Sequence, residues 1–502
     1  MMWSPLSPGS LASLLAGFLA GCVSSARPGL PPGSPFVALD GDQDGTVQYG
    51  PASGDVTHHS AVIWARTIGP TVVQVEWWPT MEGEDRDASG SATHPEARRT
   101  TPQATSAARD FTFKATLEGL QPDTTYQVRL WASPVGPEAR LVRPAIASRV
   151  SVFRTAPRSD THATVTFAWS GDLGGQGRCR QGDRQYPILT QLVRERPAFF
   201  LFLGDLIYGD ESCPSPPNIG GSERPASTLD EYRAKHRYQH GAPSLQRLLA
   251  AVPLWAIWDD HEVRNNFSGP FDAQMPAGRQ ALLEYWPIEE LKQDPTRLYR
   301  SVRYGQDLEV FILDTRQYRS RNQDLDGPQK TMLGAAQRAW LLEGVSRSTA
   351  TWKVITTSVP LSHPSKAAPT NPGNDGWARG DDGSGFETEL STLIQAFKDR
   401  AVANLVWLAG DVHFVQGTAY DPDGDGVPDF HEFIAGPLSA RPGRLVPVPL
   451  TFRPTVLFAE TGYDNVGVVT VSREVFHVAI VDGDGRVRHQ ATISAAQRKG
   501  VE

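Results

Sequence analysis

Between about residues 36 and 157, apolar and polar positions alternate with a period close to two. The runs HSAVIWAR, TVVQVEWW and TYQVRLWA are rich in β-branched and aromatic residues, and turn residues such as Gly, Pro and Asp separate them. Successive side chains of a strand point to opposite faces, so this pattern predicts short strands with one buried face. The region is therefore predicted to be an all-β sandwich.

One segment of this region has a more specific pattern. The run LEGLQPDTTY at 117–126 reads as strand, turn and strand, and it ends in Tyr126. It resembles fibronectin type III domains, in which such a tyrosine forms a tyrosine corner. Residues 36–157 are therefore expected to form a fibronectin/Ig-like domain.

From about residue 161 the pattern changes to apolar runs that alternate with segments of helical periodicity. The helical segments are 228–250, 275–286, 329–347 and 385–399. This alternation predicts an α/β domain with two packed sheets between helices, over residues 161–495. Three runs near the end, starting at about residue 466, alternate like antiparallel strands. The predicted strands of the alternating part are TVTFAWS, AFFLFLG, LWAIWD, LEVFILD, WKVITTS and NLVWLAG.

The N-terminus has the features of an export signal. Residues 11–20 are apolar but too few to cross a bilayer as a helix, and they lead into the sequence LAGC, which ends at Cys22. We expect residues 1–22 to be a signal peptide with a bacterial lipobox, although it lacks Lys and Arg. Cys22 would carry the lipid, residues 23–35 would be a linker, and the protein would be a periplasmic or cell-surface lipoprotein held at the membrane. An ordinary cleaved signal peptide with an incidental cysteine is the alternative.

Five predicted strands of the α/β region end in acidic residues, and two of these endings include a histidine. A single Asp after a strand is usually a turn former or a helix cap. Five such strands would bring repelling carboxylates to one sheet edge, where bound cations would compensate the charge. Carboxylate and imidazole together suit Fe, Zn, Mn or Co, whereas an all-oxygen set suits Ca or Mg. The residues are Asp172, Asp205, Asp259, Asp260, His261, Asp314, Asp411 and His413.

These endings resemble the ordered blocks of calcineurin-like metallophosphoesterases, including purple acid phosphatases. The blocks are GDLG, GDLIY, WDDHE and GDVH. The finer resemblance is to the alkaline phosphatase D (PhoD-like) family, through LGDLIY, IWDDHEVRNNF, LDTRQYR and AGDVH, and it covers residues 47 to 480. It implies an α/β (α+β) metallophosphoesterase β-sandwich flanked by helices.

The resemblance also implies a two-metal centre that hydrolyses phosphate esters by attack of a metal-bound hydroxide. Tyr208 would favour Fe(III) in the first site, and the second metal would be Ca, Zn, Mn or Fe. Asp259 would orient a ligand, and His261 would be the general acid. Asp205 would bridge the metals, with Asp172, Tyr208 and His413 at the first site and Asp260 and Asp411 at the second.

Three residues are predicted to bind substrate, namely Arg264, Asn265 and Arg316. A planar guanidinium can hold two phosphate oxygens. For Arg316 and the neighbouring Arg319, an ion pair with Asp314 or another acid is the stronger alternative. For Asn265, the alternative is an ordinary loop-forming role.

Two departures from the family pattern concern further ligands. Relatives often place a Cys near the end of the first strand of the domain, where this chain has Asp172. Its nearest cysteine, Cys179, is instead a candidate for pairing with Cys213, and a metal-ligand role is the alternative. Relatives also have an Asn or His after the strand that precedes GDVH. Here the candidates are Thr357, Ser358 and His363.

A separate acidic loop, DPDGDGVPDFHE, spans residues 421–432. Its acids follow the spacing of a calcium-binding EF-hand loop, although Pro428 and the strand-like continuation argue against a complete EF-hand. A structural Ca site and a polar hairpin turn are the two interpretations. The candidate ligands are Asp421, Asp423, Asp425, Asp429 and Glu432.

The leading hypothesis is thus an exported two-metal phosphoesterase. A phosphodiesterase or phospholipase D-type activity on the same centre is one alternative, and a non-catalytic surface binding protein is another. The net charge of −8 argues against nucleic acid as a partner.

Overall fold

The computed structural model describes residues 46–80, 94–135, 146–180, 186–213, 222–364 and 372–496. The predicted signal peptide, Cys22, the linker at 23–35 and the first residues of the β-sandwich lie outside these ranges. None of the helices in the described ranges has the length and apolar character needed to cross a membrane.

The N-terminal module is a β-sandwich, as predicted. One layer contains β1, β2 and β6, and the other contains β3 and β7 with the short strands beside them. Ile63 from the first layer and Val75 and Leu130 from the second are fully buried in the core between them. The strands are β1 Val47–Gly54, β2 Ser60–Thr67, β3 Thr71–Pro79, β4 Arg98–Arg99, β5 Gln103–Ala104, β6 Thr112–Glu118, β7 Thr125–Pro134, β8 Ile146–Ala147 and β9 Ser151–Arg154, with a 3-10 helix at Ala107–Arg109.

The tyrosine corner is present. The Tyr126 hydroxyl accepts a hydrogen bond from the backbone N–H of Gln121 at 2.9 Å, and the Tyr126 ring stacks on Phe153. This bond ties the turn after β6 to the start of β7, as expected from the run at 117–126.

The second module contains two mixed sheets and six helices within the described residues. The order in one sheet is β22-β21-β20-β10-β11-β12, and the order in the other is β13-β14-β15-β16-β18-β17-β19. Its helices are α1 Pro187–Glu195, α2 Leu229–His240, α3 Pro243–Ala251, α4 Met275–Tyr285, α5 Gly334–Arg347 and α6 Glu387–Asp399, with a 3-10 helix at Gly269–Phe271. Its strands are β10 Val165–Ser170, β11 Phe200–Leu203, β12 Leu254–Ile257, β13 Arg300–Tyr304, β14 Leu308–Ile312, β15 Trp352–Thr356, β16 Leu405–Ala409, β17 Val415–Tyr420, β18 Phe430–Ile434, β19 Pro454–Glu460, β20 Asn465–Val471, β21 Val475–Asp482 and β22 Val487–Ser494.

The two sheets pack face to face, and helices cover their outer faces. In β16, Val406 and Leu408 join the core between the sheets, whereas Trp407 joins the core under α5 and α6. Strands buried on both faces read as continuous apolar runs, which explains the uninterrupted VWLA of this strand. The predicted β-sandwich flanked by helices is therefore confirmed.

Two features differ from the sequence expectation. The predicted helical segment 228–250 is two helices, because α2 ends at Gly241 and Pro243 starts α3. The two modules also share a sheet, since β1 pairs in parallel with β12 at Gly54 and Leu254. The change of pattern near residue 160 therefore does not mark a break between separate sheets.

The acidic loop between β17 and β18 differs in part from the predicted calcium site. Asp421 accepts hydrogen bonds from the backbone N–H groups of Gly424 and Gly426, both at 2.9 Å, and it lies close to Asp423 and Asp425. These three acids come together, as the spacing predicts. The calcium site itself remains a prediction.

Two of the five predicted calcium ligands, Asp429 and Glu432, lie outside this group of three acids. Asp429 and Asp423 both pair with the ammonium group of Lys398. Glu432 lies on β18 and points into the core, where it accepts hydrogen bonds from Leu361 N–H at 2.7 Å and Tyr420 O–H at 2.6 Å. The assignment of Glu432 was wrong because the strand begins at Phe430, and its pleat turns this side chain away from the loop.

The buried Glu432 makes stability depend on pH. Burial raises the pKa of Glu432 to about 7 from 4.5, while its hydrogen bonds oppose this shift. Protonated Glu432 therefore stabilises the folded protein. This contribution is fully present below pH 4.5 and is lost as the pH rises through about 7. We predict that Glu432→Gln, which stays neutral, unfolds at a higher temperature than wild type at about pH 8. The gain in free energy of unfolding should be at most about 3 kcal/mol.

Thermal unfolding of both proteins at about pH 5 and pH 8 would measure this effect. Glu343→Gln is the matched control, because Glu343 is an exposed residue of α5 whose side chain is 60% exposed. The same difference in melting temperature at both pH values would contradict the prediction.

Candidate metal centre

The strand ends named above converge at one edge of the sandwich. Asp172 follows β10, Asp205 follows β11, and Asp259 and Asp260 follow β12 in the first sheet. Asp411 follows β16 in the second sheet. The strands β10, β11 and β12 are parallel, so their carboxyl ends lie side by side.

The backbone is strained at several of these residues. A positive φ is uncommon for residues other than Gly, and Asp and His adopt it more readily than most. Such conformations cluster at functional sites, where the surrounding structure holds them in place. The φ angles are 66° at Asp172, 51° at Asp205, 69° at Asp411 and 57° at His413.

The first donor group consists of Asp172, Asp205 and His413, each of which offers one ligand atom within 4.8 Å of the others. Nδ1 of His413 donates to the carbonyl of Arg441 at 2.7 Å. This bond leaves Nε2 directed at the group, 3.4 Å from Asp172 Oδ1 and 3.2 Å from the Tyr208 hydroxyl. The four side chains predicted for the first metal site therefore lie together.

Two further donor groups continue from the first. One consists of Asp205, Asp260 and His261, and the other consists of Asp259, Asp260 and Asp411. Asp205 and Asp260 each belong to two groups, so the three groups form a continuous chain. A carboxylate that belongs to two groups can bridge two neighbouring cations.

The hydrogen bonding of these carboxylates fits a cation site. Among the described residues, Asp172 Oδ2 and Asp260 Oδ1 are buried and accept no hydrogen bond. An unpaired buried carboxylate oxygen is costly unless it binds a cation. The other oxygen of Asp260, Oδ2, accepts a hydrogen bond from the N–H of Asn266 at 2.6 Å. This bond fixes the orientation of the carboxylate and therefore the direction of Oδ1.

Burial and the neighbouring carboxylates raise the pKa values of two of these acids. Burial raises the pKa of Asp205 well above its ordinary value, and Asp260, Glu262 and Asp259 raise it further. Burial and the Asp259 carboxylate likewise raise the pKa of Asp411. Bound cations would relieve this repulsion and keep the carboxylates ionised.

His261 is held by a residue that the sequence reasoning missed. Its Nδ1 lies 2.6 Å from Oδ1 of Asp210, and the other oxygen of Asp210 accepts the N–H of Asn265 at 2.9 Å. Burial alone would lower the pKa of His261, but Asp260, Asp205 and Asp210 outweigh it and raise the pKa. Asp210 thus fixes the ring and favours the imidazolium. The sequence feature that pointed to Asp210 was its position two residues after Tyr208.

A buried glutamate, Glu262, organises the loops beneath the donors. Its carboxylate accepts hydrogen bonds from the N–H groups of Leu206 at 2.6 Å and Asp259 at 2.8 Å. Gly204 is needed for the same close approach, because a Cβ there would lie 2.4 Å from the Cβ of Asp259. The loops after β11 and β12 are therefore held against each other.

Arg316 does not bind substrate as predicted. Its guanidinium is fully buried and donates to Asp259 and Asp375, both at 2.7 Å. The alternative of an ion pair is therefore the one observed, although Asp314 is not the partner. Asp314 instead accepts the indole N–H of Trp258 at 2.8 Å and lies outside the donor groups.

Of the three candidates for the remaining ligand, His363 belongs to no donor group among the described residues. Thr357 accepts the indole N–H of Trp377 at 3.0 Å, and the hydroxyls of Ser358 and Thr315 bond each other. His363 packs against Phe414, and burial lowers its pKa to about 4. Asp259, whose carboxylate interacts with the Ser358 hydroxyl, belongs to the donor group at the second site.

The other predicted residues border the centre. The guanidinium of Arg264 pairs with Asp272, and its side chain is 38% exposed. Asn265 lies beside it in the loop after β12. Their roles in substrate binding remain predictions.

Cys179 and Cys213 form a disulfide. The bond joins the loop that follows Asp172 to the loop that follows Tyr208. The alternative in which one cysteine is a metal ligand is therefore excluded for this structure.

Comparison with known proteins gives consistent matches over both modules. The family model of the PhoD-like phosphatase matches residues 168–462, and the model of the PhoD-like phosphatase N-terminal domain matches residues 39–157. Alkaline phosphatase D of Bacillus subtilis (strain 168) is 27% identical over 408 residues, which are 72% of this chain and 64% of that protein. This chain thus spans less than two thirds of the length of that relative.

Solved structures show the same fold. A structure of PhoD has a TM-score of 0.67 and 21% identity, and the match covers 89% of this chain and 92% of that one. The purple acid phosphatase PPD1 from yellow lupin (Lupinus luteus) seeds has a TM-score of 0.60 and 14% identity, over 88% of this chain and 74% of that one. The fold, the donor groups and the two family models agree, and the chain belongs to the PhoD-like phosphatase family.

Proposed function

We propose that this protein is an exported phosphoesterase that uses two metal ions to hydrolyse phosphate esters. The observation that carries the proposal is the continuous chain of three donor groups that share Asp205 and Asp260. Membership of the PhoD-like phosphatase family supports the same reaction class.

The residues suit two different metals. Asp172, Tyr208 and His413 would hold the first, and the phenolate of Tyr208 favours Fe(III). Asp260 and Asp411 would hold the second, and Asp259 adds a third carboxylate that suits Ca, Mn, Zn or Fe. Bound between the loops, such cations would acidify water and neutralise charge that develops on the phosphoryl group.

The protein residues would complete the reaction. Water gives up one proton to the solvent and its oxygen bonds to phosphorus as the P–O bond to the alcohol breaks, while His261 donates a proton to the leaving oxygen. Asp210 holds Nδ1 of His261, so Nε2 is the nitrogen available for this transfer. Asp210 is thus a positioning residue.

Export and membrane attachment also belong to the proposal. The sequence LAGC ending at Cys22 supports a lipid anchor, and the Cys179–Cys213 disulfide suits an oxidising compartment outside the cytoplasm. We therefore place the protein in the periplasm or at the cell surface.

The same centre would serve monoesters and diesters. A phosphodiesterase or phospholipase D-type activity is the second candidate, and a cavity of about 220 Å³ beside the His261 loop has room for one small substituent of the leaving group. Parallel assays of aryl phosphate monoesters and diesters would distinguish the two.

Replacement of the shared carboxylate is expected to empty the centre. The wild-type protein should contain about two metals per chain, plus one Ca if the acidic loop binds it. Asp205→Asn should reduce the content of the centre by at least one metal and lower kcat/KM roughly a hundredfold or more. Elemental analysis and assays of the same preparations would measure both.

Asp484→Asn is the matched control, because Asp484 lies in the turn between β21 and β22 and is 70% exposed. Full activity of a metal-free wild-type preparation would overturn the mechanism.

The role of His261 predicts a loss of turnover without a loss of metal. His261→Ala should lower kcat roughly 10²–10⁴-fold while the metal content stays near that of wild type. Asp210→Asn should lower kcat less, about 10- to 100-fold. It should also move the alkaline limb of the pH profile to lower pH, because the Asp210 carboxylate helps to raise the pKa of His261.

Metal analysis and pH–rate profiles of both variants would check these expectations. If His261→Ala removed the metals, His261 would be a ligand and its assignment as the general acid would fail.

A further inference from the structure

A small cavity lies beside the loop that carries Asp260 and His261. Its volume is about 220 Å³, below the range of roughly 300–1,000 Å³ typical of pockets for drug-sized ligands. It therefore suits one small chemical group. Its walls include Arg264, Ser268, Phe271, Asp272, Arg321 and Asn322.

The cavity has more positive than negative charge on its walls. Arg264 pairs through Nε with Asp272, whose other oxygen accepts the N–H of Gln274 at 3.0 Å. The guanidinium of Arg321 lies 4.1 Å from the ring centre of Phe271. In the described part of the chain, no carboxylate lies within ion-pair distance of Arg321. Two guanidinium groups therefore face one carboxylate.

Hydrogen bonds tie this cavity to the metal centre. Arg264 N–H donates to the carbonyl of Asp260 at 2.8 Å. On the opposite wall, the side-chain amide of Asn322 donates to the carbonyl of Asn266 at 2.7 Å, and Asn266 N–H donates to the Asp260 carboxylate at 2.6 Å. The cavity thus flanks the loop of His261, the proposed donor of a proton to the leaving group.

We propose that this cavity binds an anionic group on the leaving-group side of the substrate. The preferred substrates are then phosphate esters whose alcohol carries a second anionic group, either a phosphate or a carboxylate. A guanidinium binds both with paired hydrogen bonds, and the 48% exposed ring of Phe271 offers an apolar face to the carbon skeleton. This inference rests on the proposed phosphoesterase function.

Matched diesters test the charge preference directly. Phenyl 3-carboxyphenyl phosphate has a charged leaving group, and phenyl 3-carbamoylphenyl phosphate is its neutral counterpart. The release of each phenol can be followed by chromatography. Wild type should favour the charged leaving group by roughly five- to twentyfold in kcat/KM, mainly through KM, and added salt should reduce the preference. A third ester with a 3-phosphonomethyl group separates phosphate-like from carboxylate preference.

Arg321→Gln is the decisive variant. Arg321 has no acidic partner in the described part of the chain, so its replacement leaves no carboxylate unpaired there. The variant should lose most of the preference for the charged leaving group. Arg347→Gln is the matched control, because Arg347 on α5 is 80% exposed and pairs only with Glu343 among the described residues. It should retain the wild-type preference.

The possible failures are distinguishable. Equal rates of wild type on the charged and neutral diesters would overturn the cavity assignment and leave the phosphoesterase proposal intact. An equal loss on both esters in Arg321→Gln would also overturn it. A metal-loaded wild type that cleaves none of the esters would remove the phosphoesterase proposal, and the cavity assignment with it.

Discussion

Repulsion among buried carboxylates is the constraint on which the rest of this structure depends. Asp205 and Asp259 are buried, each within a few ångströms of Asp260, and Asp411 approaches Asp259 and Asp260 from the opposite sheet. Charges this close in a poorly solvated site destabilise the fold unless positive charge balances them. The chain supplies part of that balance through Arg316 and His261, and bound cations would supply the rest. Left-handed backbone at the strand ends and backbone hydrogen bonds to the Glu262 carboxylate hold the carboxylates at this distance.

The balance of charge is different at the two ends of the centre. At one end, His413 and Tyr208 accompany Asp172, and a carbonyl rather than an acid fixes the orientation of His413. At the other end the donors are carboxylates, and the guanidinium of Arg316 forms ion pairs with Asp259 and Asp375. Imidazole nitrogen suits transition metals, whereas carboxylate oxygens also suit Ca and Mg. The protein thus offers different donor chemistry at the two ends of the centre.

Local sequence identified the acidic side chains that converge at this edge, because each of them follows a strand that is itself a clear apolar run. The GD and DDH endings can be recognised from two local features, which are the apolar run of a buried strand and the turn that follows it. The partners of these donors were harder to predict. Arg316 was expected to contact substrate or to pair with Asp314 or another acid, and its partners are Asp259, 57 residues away, and Asp375, 59 residues away, which the sequence did not single out. Glu432 matched the calcium spacing and yet belongs to a strand, because the register of β18 decides which way it points.

The sequence by itself determined the strands, the donor residues and their order, since these follow from apolar periodicity and from short motifs. Only the tertiary structure decided which donors share a site. Asp205 and Asp260 are brought together by the parallel pairing of β11 with β12, and Asp411 joins them because a second sheet packs on the first. It also decided that Asp210 serves His261 and that Arg264 and Arg321 line one cavity. Such contacts depend on packing between segments distant in the chain, which no local pattern records.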